Sequence, residues 1–190
     1  MINRILKDRW SPYSFSPLEV GEGDLKTLFE SAGLAPSGFN EQPWLFVYAT
    51  RDDKMVFDSF LGFLNDSNRI WAQNAWALAI SIARLNSSYN GKPNRFALYE
   101  TGMAVGNMLA QATYMGLYIH QMGGFSKESA REYLKIAEGI EPIAMMAVGH
   151  KGNGENIPAE IYKKDEIRRP RKHVSEYTFR NSLPPEFIRS

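Results

Sequence analysis

The segment APSGFNEQPW (35–44) carries more hydrogen-bonding side chains than a connection between two elements of secondary structure requires. The side chains of Ser37 and Asn40 can each donate and accept hydrogen bonds, and Gly38 lets a ligand approach the backbone N–H groups closely. One interpretation is that these side chains only satisfy the backbone of the loop itself. The other is a rigid loop that holds a polar ligand with amide and hydroxyl edges.

Two basic segments at opposite ends of the chain could hold a phosphate group. In KDRWSPYSF (7–15), Arg9 and Ser11 occupy alternate positions of an extended segment, and a guanidinium and a hydroxyl on one face suit a phosphate. RRPRKH (168–173) has four cations in its first five residues and could form a second phosphate clamp that meets Arg9. The alternatives are a solvated surface arginine, a solvated tail and a nucleic-acid patch. No aromatic residue interleaves the second run, which disfavours single-strand binding.

Two glycines stand in MGGF (122–125), directly after a predicted strand. Gly123 and Gly124 could offer backbone N–H groups to a planar ligand, and a plain turn is the alternative.

Helices and strands alternate along the chain, which is typical of an α/β or α+β class with a sheet covered on both faces. Asp24 and Ser126 are candidate N-caps, and Pro36 ends the helix before it. Apolar spacing predicts helices over 1–8, 24–34, 53–65, 96–117 and 127–138, strands over 45–50, 76–84, 116–122 and 142–150, a loop over 87–94 and an extended arm over 151–190.

The long helix has a row of small residues, Gly102, Gly106 and Ala110, spaced four apart. Each glycine costs a helix about 1 kcal/mol relative to alanine, so another backbone must approach closely to offset the loss. That backbone could belong to a partner subunit or to a tightly packed core of the same chain.

Composition narrows the class of protein. The 190 residues contain 22 Lys and Arg against 21 Asp and Glu, and no Cys. Disulfides, thiol catalysis and thiolate metal sites are therefore excluded, and the balanced charge gives no reason to expect a nucleic acid or membrane partner. The three histidines have no metal-ligand spacing, so we expect no metal. We expect one cytoplasmic domain over 1–190, with no signal peptide and no transmembrane helix.

In order and spacing, RWSPYSF, APSGFNEQPW, the Gly- and Ala-rich helix ending in YMGL, the GGF turn, PIAMMAVGH and RRPRK resemble the nitroreductase family of FMN-dependent oxidoreductases. SNRIWAQNAW (67–76) is similar to a further motif of that family in altered form. The resemblance spans essentially the whole chain. It implies an α+β, nitroreductase-like fold: a central, mostly antiparallel sheet flanked by helices, in an intertwined homodimer with an extended C-terminal arm.

The resemblance also implies which residues contact FMN. The loop would line a flavin that the partner subunit mainly binds, and Gln42 would support the loop. The glycine turn would donate an N–H to flavin N5. The two basic segments would hold the phosphate and ribityl groups. The residues so assigned are Arg9, Ser11, Pro36, Ser37, Gly38, Asn40, Asn68, Gly123, Gly124, Arg169 and Arg171. No side chain is assigned as catalytic. The chain departs from the family pattern at Tyr13, where a basic residue is usual, at Trp76, where Pro is usual, and in having no lid insertion.

The implied reaction passes a hydride from NAD(P)H through FMN to a small nitroaromatic or quinone-type acceptor that uses the same flavin face. No G-x-G-x-x-G fingerprint chooses between NADH and NADPH. The alternatives are a flavin enzyme of the same fold with another reaction (dehalogenation, dehydrogenation or flavin breakdown), a non-catalytic flavin-binding module, and an anion- or nucleic-acid-binding domain.

Overall fold

A four-stranded antiparallel sheet forms the centre of the molecule. A computed structural model of the chain describes residues 1–188. The strands are β1 (Trp44–Thr50), β2 (Ala77–Arg84), β3 (Tyr118–Met122) and β4 (Ile140–Gly149). Their order is β1-β2-β4-β3, with every neighbouring pair antiparallel, so the predicted α+β class and antiparallel sheet are confirmed.

Seven α-helices surround the sheet over residues 1–188. Side chains of Asn3, Asp53, Asn65 and Ser126 accept hydrogen bonds at four of their N-termini, as N-caps do. The helices are α1 (Arg4–Asp8), α2 (Glu22–Gly33), α3 (Lys54–Phe63), α4 (Asp66–Ala72), α5 (Ala97–Tyr114), α6 (Lys127–Leu134) and α7 (Ala159–Glu166).

Several boundaries differ from the sequence predictions. Helix α2 begins before Asp24, which lies in its first turn and is not the cap. Helix α6 ends four residues early because Lys135 adopts the left-handed conformation, with φ 52°. Helix α4 was not predicted. Helix α7 interrupts the segment predicted to be an extended arm, so that prediction was wrong for residues 159–166.

The core has two halves, one on each face of the sheet, because successive strand residues point to opposite faces. Leu78, Ile80 and Met145 pack with the apolar side chains of α3, α4 and α6. On the other face, Ala79 and Met146 pack with those of α2 and α5. Strand β2 is buried along nearly its whole length, whereas β1 is an edge strand that is mostly half-exposed, so the prediction of a buried strand was wrong for β1.

The row of small residues on α5 faces outward. Gly102 and Gly106 are exposed, and a Cβ at either position would have no atom of a neighbouring element within 4 Å. The close approach that would offset their helix cost is therefore absent within residues 1–188, and the explanation by a tightly packed monomeric core is wrong. Over residues 1–188, no helix combines the length and apolarity needed to cross a membrane.

Candidate functional site

A cavity of about 320 Å³ lies where residues 9–13 meet residues 164–171. Four cationic side chains line it: Arg9 from the N-terminal segment, Lys164 from α7, and Arg169 and Arg171 from the segment that follows. No carboxylate lines this cavity within residues 1–188. The predicted meeting of Arg9 with the late basic run is thus found, and the concentrated positive charge suits an anion.

Hydrogen bonds to the sheet hold Arg9 in this cavity. Arg9 Nη1 donates to Ser11 Oγ at 3.0 Å, and Ser11 Oγ donates to the carbonyl of Ile119 in β3 at 3.3 Å. Burial, followed by the positive charges of Arg171 and Arg168, lowers the pKa of Arg9. A bound anion would relieve this repulsion between guanidinium groups.

The cavity also has an aromatic wall that sequence reasoning missed. His120 in β3 packs against the rings of both Trp71 and Tyr13, with centroids 4.5 Å and 4.7 Å away. Its Nδ1 lies 2.8 Å from the carbonyl of Pro12, and burial lowers the pKa of the imidazole. The neutral ring then carries its proton on Nδ1 and leaves Nε2 as an acceptor. One feature of the sequence could have indicated this position of His120. Residues of a strand alternate between the two faces of the sheet, so His120 lies on the opposite face of β3 from Ile119.

Lys164 supplies a positive charge beside Tyr13, the position at which a basic residue is usual but missing in this sequence. Its Nζ lies 5.4 Å from the centroid of the Tyr13 ring, and both side chains line the cavity. Sequence reasoning missed Lys164 because it predicted no helix within residues 151–190. The sequence shows that Tyr13 replaces a usual basic residue, but it does not show which cation takes the place of that residue.

The glycine turn follows β3 at its far end. Asn68 Nδ2 donates to the Gly124 carbonyl at 3.1 Å, so the structure brings Asn68 to this turn. A Cβ on Gly124 would collide with the side-chain amides of Asn65 and Asn68, whereas one on Gly123 would meet nothing within 4 Å. At about 3.3 Å per residue, Gly123 lies about 13 Å along the strand from Ile119.

The loop at residues 36–42 is exposed and conformationally unusual. Phe39, Asn40 and Gln42 have φ values of 52°, 57° and 46°, a region that costs residues other than glycine about 1–2 kcal/mol each. The Ser37 hydroxyl accepts a hydrogen bond from the Gln42 N–H at 3.0 Å, so it serves the loop itself, as one of the two interpretations proposed. The Asn40 side chain makes no hydrogen bond to residues 1–188 and is exposed. Strained backbone with free polar groups is typical of ligand-binding loops.

Two carboxylates fix this loop to the rest of the fold. Gly38 N donates to Glu100 Oε1, in the first turn of α5, at 2.7 Å. Glu41 accepts hydrogen bonds from the Ser87 hydroxyl and from the N–H and hydroxyl of Ser88, both at 2.8 Å. These bonds, that of Ser87 foremost, lower the pKa of Glu41 to about 2.

The loop and the cationic cavity lie far apart within one chain. Between Glu100, which holds Gly38, and Tyr114, which precedes β3, helix α5 rises by about 21 Å at about 1.5 Å per residue. Strands β1 and β3 are the two edges of the sheet, separated by three strand spacings or about 14 Å. The structure therefore brings together Arg9, Ser11, Arg169 and Arg171 at one end of β3, and Asn68, Gly123 and Gly124 at the other. It does not bring Pro36, Ser37, Gly38 and Asn40 to either group.

Comparison with sequence families gives a match over most of the chain. The model of the nitroreductase family matches residues 6–80 and 62–150, which together extend from α1 to the end of β4. Those residues include the N-terminal arginine, the exposed loop and the glycine turn.

Individual relatives extend the likeness over most of the chain. A protein of Archaeoglobus fulgidus, provisionally named NADH dehydrogenase/NAD(P)H nitroreductase, is 24% identical over 151 residues, which cover 77% of this chain and 83% of that protein. The crystal structure of an oxidoreductase containing FMN is 29% identical, with a TM-score of 0.91, and the match covers 97% of this chain and 93% of the other. A provisionally assigned nitroreductase from Desulfovibrio desulfuricans, solved in complex with FMN, has the same fold at 21% identity, with a TM-score of 0.71 over 97% of this chain and 100% of the other.

Proposed function

The chain belongs to the nitroreductase family, and from that premise we propose that it is an FMN-dependent oxidoreductase that uses NAD(P)H to reduce nitroaromatic or quinone-type acceptors. The observation that carries the proposal is the cavity lined by Arg9, Lys164, Arg169 and Arg171, with no carboxylate from residues 1–188 in its lining. Guanidinium groups bind a phosphate ester through paired N–H···O bonds.

FMN fits the other groups along β3. The Gly123 and Gly124 N–H groups donate no hydrogen bond to residues 1–188, and Gly123 has open space beside it. An isoalloxazine ring over this turn would receive an N–H donor, and the Asn68 carbonyl oxygen would be available to its pyrimidine edge. FMN, when bound, would supply the hydride transfer between donor and acceptor. The chain's own residues would hold the phosphate, orient the ring and place an N–H donor against it, and none is assigned as a general acid.

We also propose that the site is completed by a second copy of the chain. Ser37, Gly38 and Asn40 lie on the β1 edge of the sheet, away from the cavity at the β3 edge. The outward row of small residues on α5 suits close packing against the same helix of a partner, and a two-fold axis would carry the loop of one subunit to the cavity of the other. Exposed apolar residues of the C-terminal arm, including Val174, Tyr177 and Leu183, would contact that partner.

The first experiment is an anaerobic titration of the purified full-length protein with FMN, followed by NADH or NADPH and then by a quinone or a nitroaromatic compound. We expect a yellow protein whose flavin absorption bleaches with a nicotinamide nucleotide and returns when the acceptor is added.

Other outcomes separate the alternatives. Bound FMN that no nicotinamide nucleotide bleaches would favour a flavin-binding module or another electron donor. Bleached flavin that returns with neither acceptor would favour a different reaction on the same fold. A protein that takes up no FMN would contradict the proposal outright.

A further inference from the structure

Arg168 belongs to the same basic run as Arg169 and Arg171, but it contacts protein groups instead of lining the cationic cavity. Its Nη2 donates to the carbonyl of Arg9 at 2.9 Å, and its Nη1 donates to the carbonyl of Lys7. Its guanidinium carbon lies 5.4 Å from the centroid of the Trp10 ring. A planar fork of donors that also stacks on an aromatic ring is a geometry that arginine alone provides.

Asp165, three residues earlier, binds the same N-terminal segment through groups of opposite polarity. The buried carboxylate accepts hydrogen bonds from the N–H groups of Tyr13, at 2.8 and 3.0 Å, and of Ser14, at 2.8 Å. Asp165 therefore holds the residues after Ser11 through their N–H groups, and Arg168 holds the residues before it through their carbonyls.

We propose, on the premise of the proposed function, that Arg168 is a positioning residue for the phosphate site, which acts by fixing the backbone that carries Arg9. With Arg168 in place, Arg9 enters the cavity already oriented toward Arg169 and Arg171. This preorganisation spares the ligand the cost of ordering the N-terminal segment when it binds. Burial, followed by the charges of Arg171 and Arg168, lowers the pKa of Arg9, so Arg168 holds its place against a charge repulsion that its two carbonyl acceptors partly offset.

The test is a double-mutant cycle on the full-length dimer or monomer as purified, with FMN and riboflavin as ligands. We expect Arg168→Gln and Arg168→Lys to weaken FMN binding alike, by about ten-fold, since both lose the fork of hydrogen bonds and only the first loses the charge. Riboflavin, which has no phosphate, should bind both variants as it binds the wild type. In an Arg9→Ala background, Arg168→Gln should change the FMN dissociation constant by less than about two-fold, because the residue that it positions is gone.

Three results would overturn the inference. If Arg168→Lys bound FMN as tightly as the wild type does, the effect of Arg168 would come from its charge alone and not from its hydrogen bonds. An equal loss in the presence and absence of Arg9 would mean that Arg168 binds the ligand independently. An equal loss for FMN and riboflavin would indicate general damage to the fold. A wild-type protein that binds no FMN would instead contradict the proposed function, and the same cycle with inorganic phosphate would then test the clamp.

Discussion

At the scale of single residues, the predicted phosphate clamp rests on side chains whose charges have no ion-pair partner among residues 1–188. Arg169 and Arg171 make no hydrogen bond or ion pair with residues 1–188, although both line the cavity. Cations held together without a counter-charge are expected where a ligand supplies that charge. The affinity for the phosphate of FMN should therefore depend on each of them.

Replacing Arg171 by Ala should weaken FMN binding by about 10- to 100-fold, as expected for the loss of a hydrogen bond between charged groups worth about 1.5–3 kcal/mol. Flavin fluorescence quenching at low protein concentration measures the change. Arg180→Ala removes an exposed arginine from the same arm, outside the cavity, and should leave the affinity unchanged. Equal affinity in wild type and Arg171→Ala would contradict the clamp.

His120 should make stability depend on pH. Burial lowers its pKa from the usual 6.5, and the titratable groups that face it are Asp165, Arg9 and Tyr13. The unfolded chain therefore binds the proton more readily than the folded chain. The contribution to stability is fully present above about pH 6.5 and is lost as the pH falls through the lower, folded pKa.

Urea unfolding of wild type and His120→Gln between pH 5 and 8 tests this dependence. We expect the wild-type free energy of unfolding to decline below about pH 6.5 more steeply than that of the variant. Parallel pH curves for the two proteins would show that His120 does not titrate on unfolding. A direct NMR titration of the His120 ring should give a midpoint below 6.5.

At the scale of elements, the turn after β3 contains two glycines. Gly124 contacts the N-terminus of α4, whereas Gly123 has open space beside it. Asn65 caps α4 by accepting the Asn68 N–H at 3.0 Å, and its own N–H donates to the Gly124 carbonyl at 3.1 Å. Gly124 is therefore packed against the N-terminus of α4. Gly123 has no atom within 4 Å of a Cβ built on it.

This pair gives a matched prediction. Gly124→Ala should destabilise the protein by about 1–3 kcal/mol, because the new methyl group displaces the side chains that cap α4. Gly123→Ala should leave the free energy of unfolding unchanged within about 0.5 kcal/mol and weaken FMN binding, since its methyl group would occupy the space assigned to the ring. Urea unfolding without ligand and FMN titration separate the two effects. A stable Gly124→Ala protein, or a Gly123→Ala protein with full FMN affinity, would contradict this account of the turn.

At the scale of the whole molecule, the two parts of the candidate site lie on opposite edges of one sheet. The loop that carries Asn40 is fixed at the N-terminal end of α5, and the cationic cavity lies near the strand that follows its C-terminal end. If one FMN contacts both, they must belong to different subunits. Flavin binding and dimerisation should then be lost together.

Gly106→Arg tests that coupling, because arginine is a good helix former and its side chain would project from the small-residue row of α5. We expect a folded monomer by sedimentation, with wild-type helix content by circular dichroism and FMN affinity lowered at least ten-fold. Gly62→Arg is the control, since Gly62 is also an exposed helical glycine with nothing within 4 Å of its Cβ. A dimeric Gly106→Arg protein, or a wild-type monomer that binds FMN tightly, would contradict the shared site.

The sequence by itself determined which local structure most segments adopt. Apolar residues at helical spacing marked α2, α3 and α5, and short apolar runs marked β2 and β4, because these patterns reflect which face of each element leaves water. The order of the motifs identified the family. Residue types suggested Arg9 and the basic run 168–173 as phosphate contacts, and the resemblance to the family assigned Arg169 and Arg171 within that run, which stays a prediction.

Only the tertiary structure decided which distant segments meet. In the folded chain, Lys164 and His120 line the cavity, and Arg168 donates hydrogen bonds to the backbone of Lys7 and Arg9. The buried carboxylate of Asp165 accepts hydrogen bonds from the Tyr13 N–H, and the loop lies at the far edge of the sheet. The physical reason is that periodicity and capping act within a few residues, whereas these contacts join residues 108 to 161 positions apart and depend on how helices pack on the sheet.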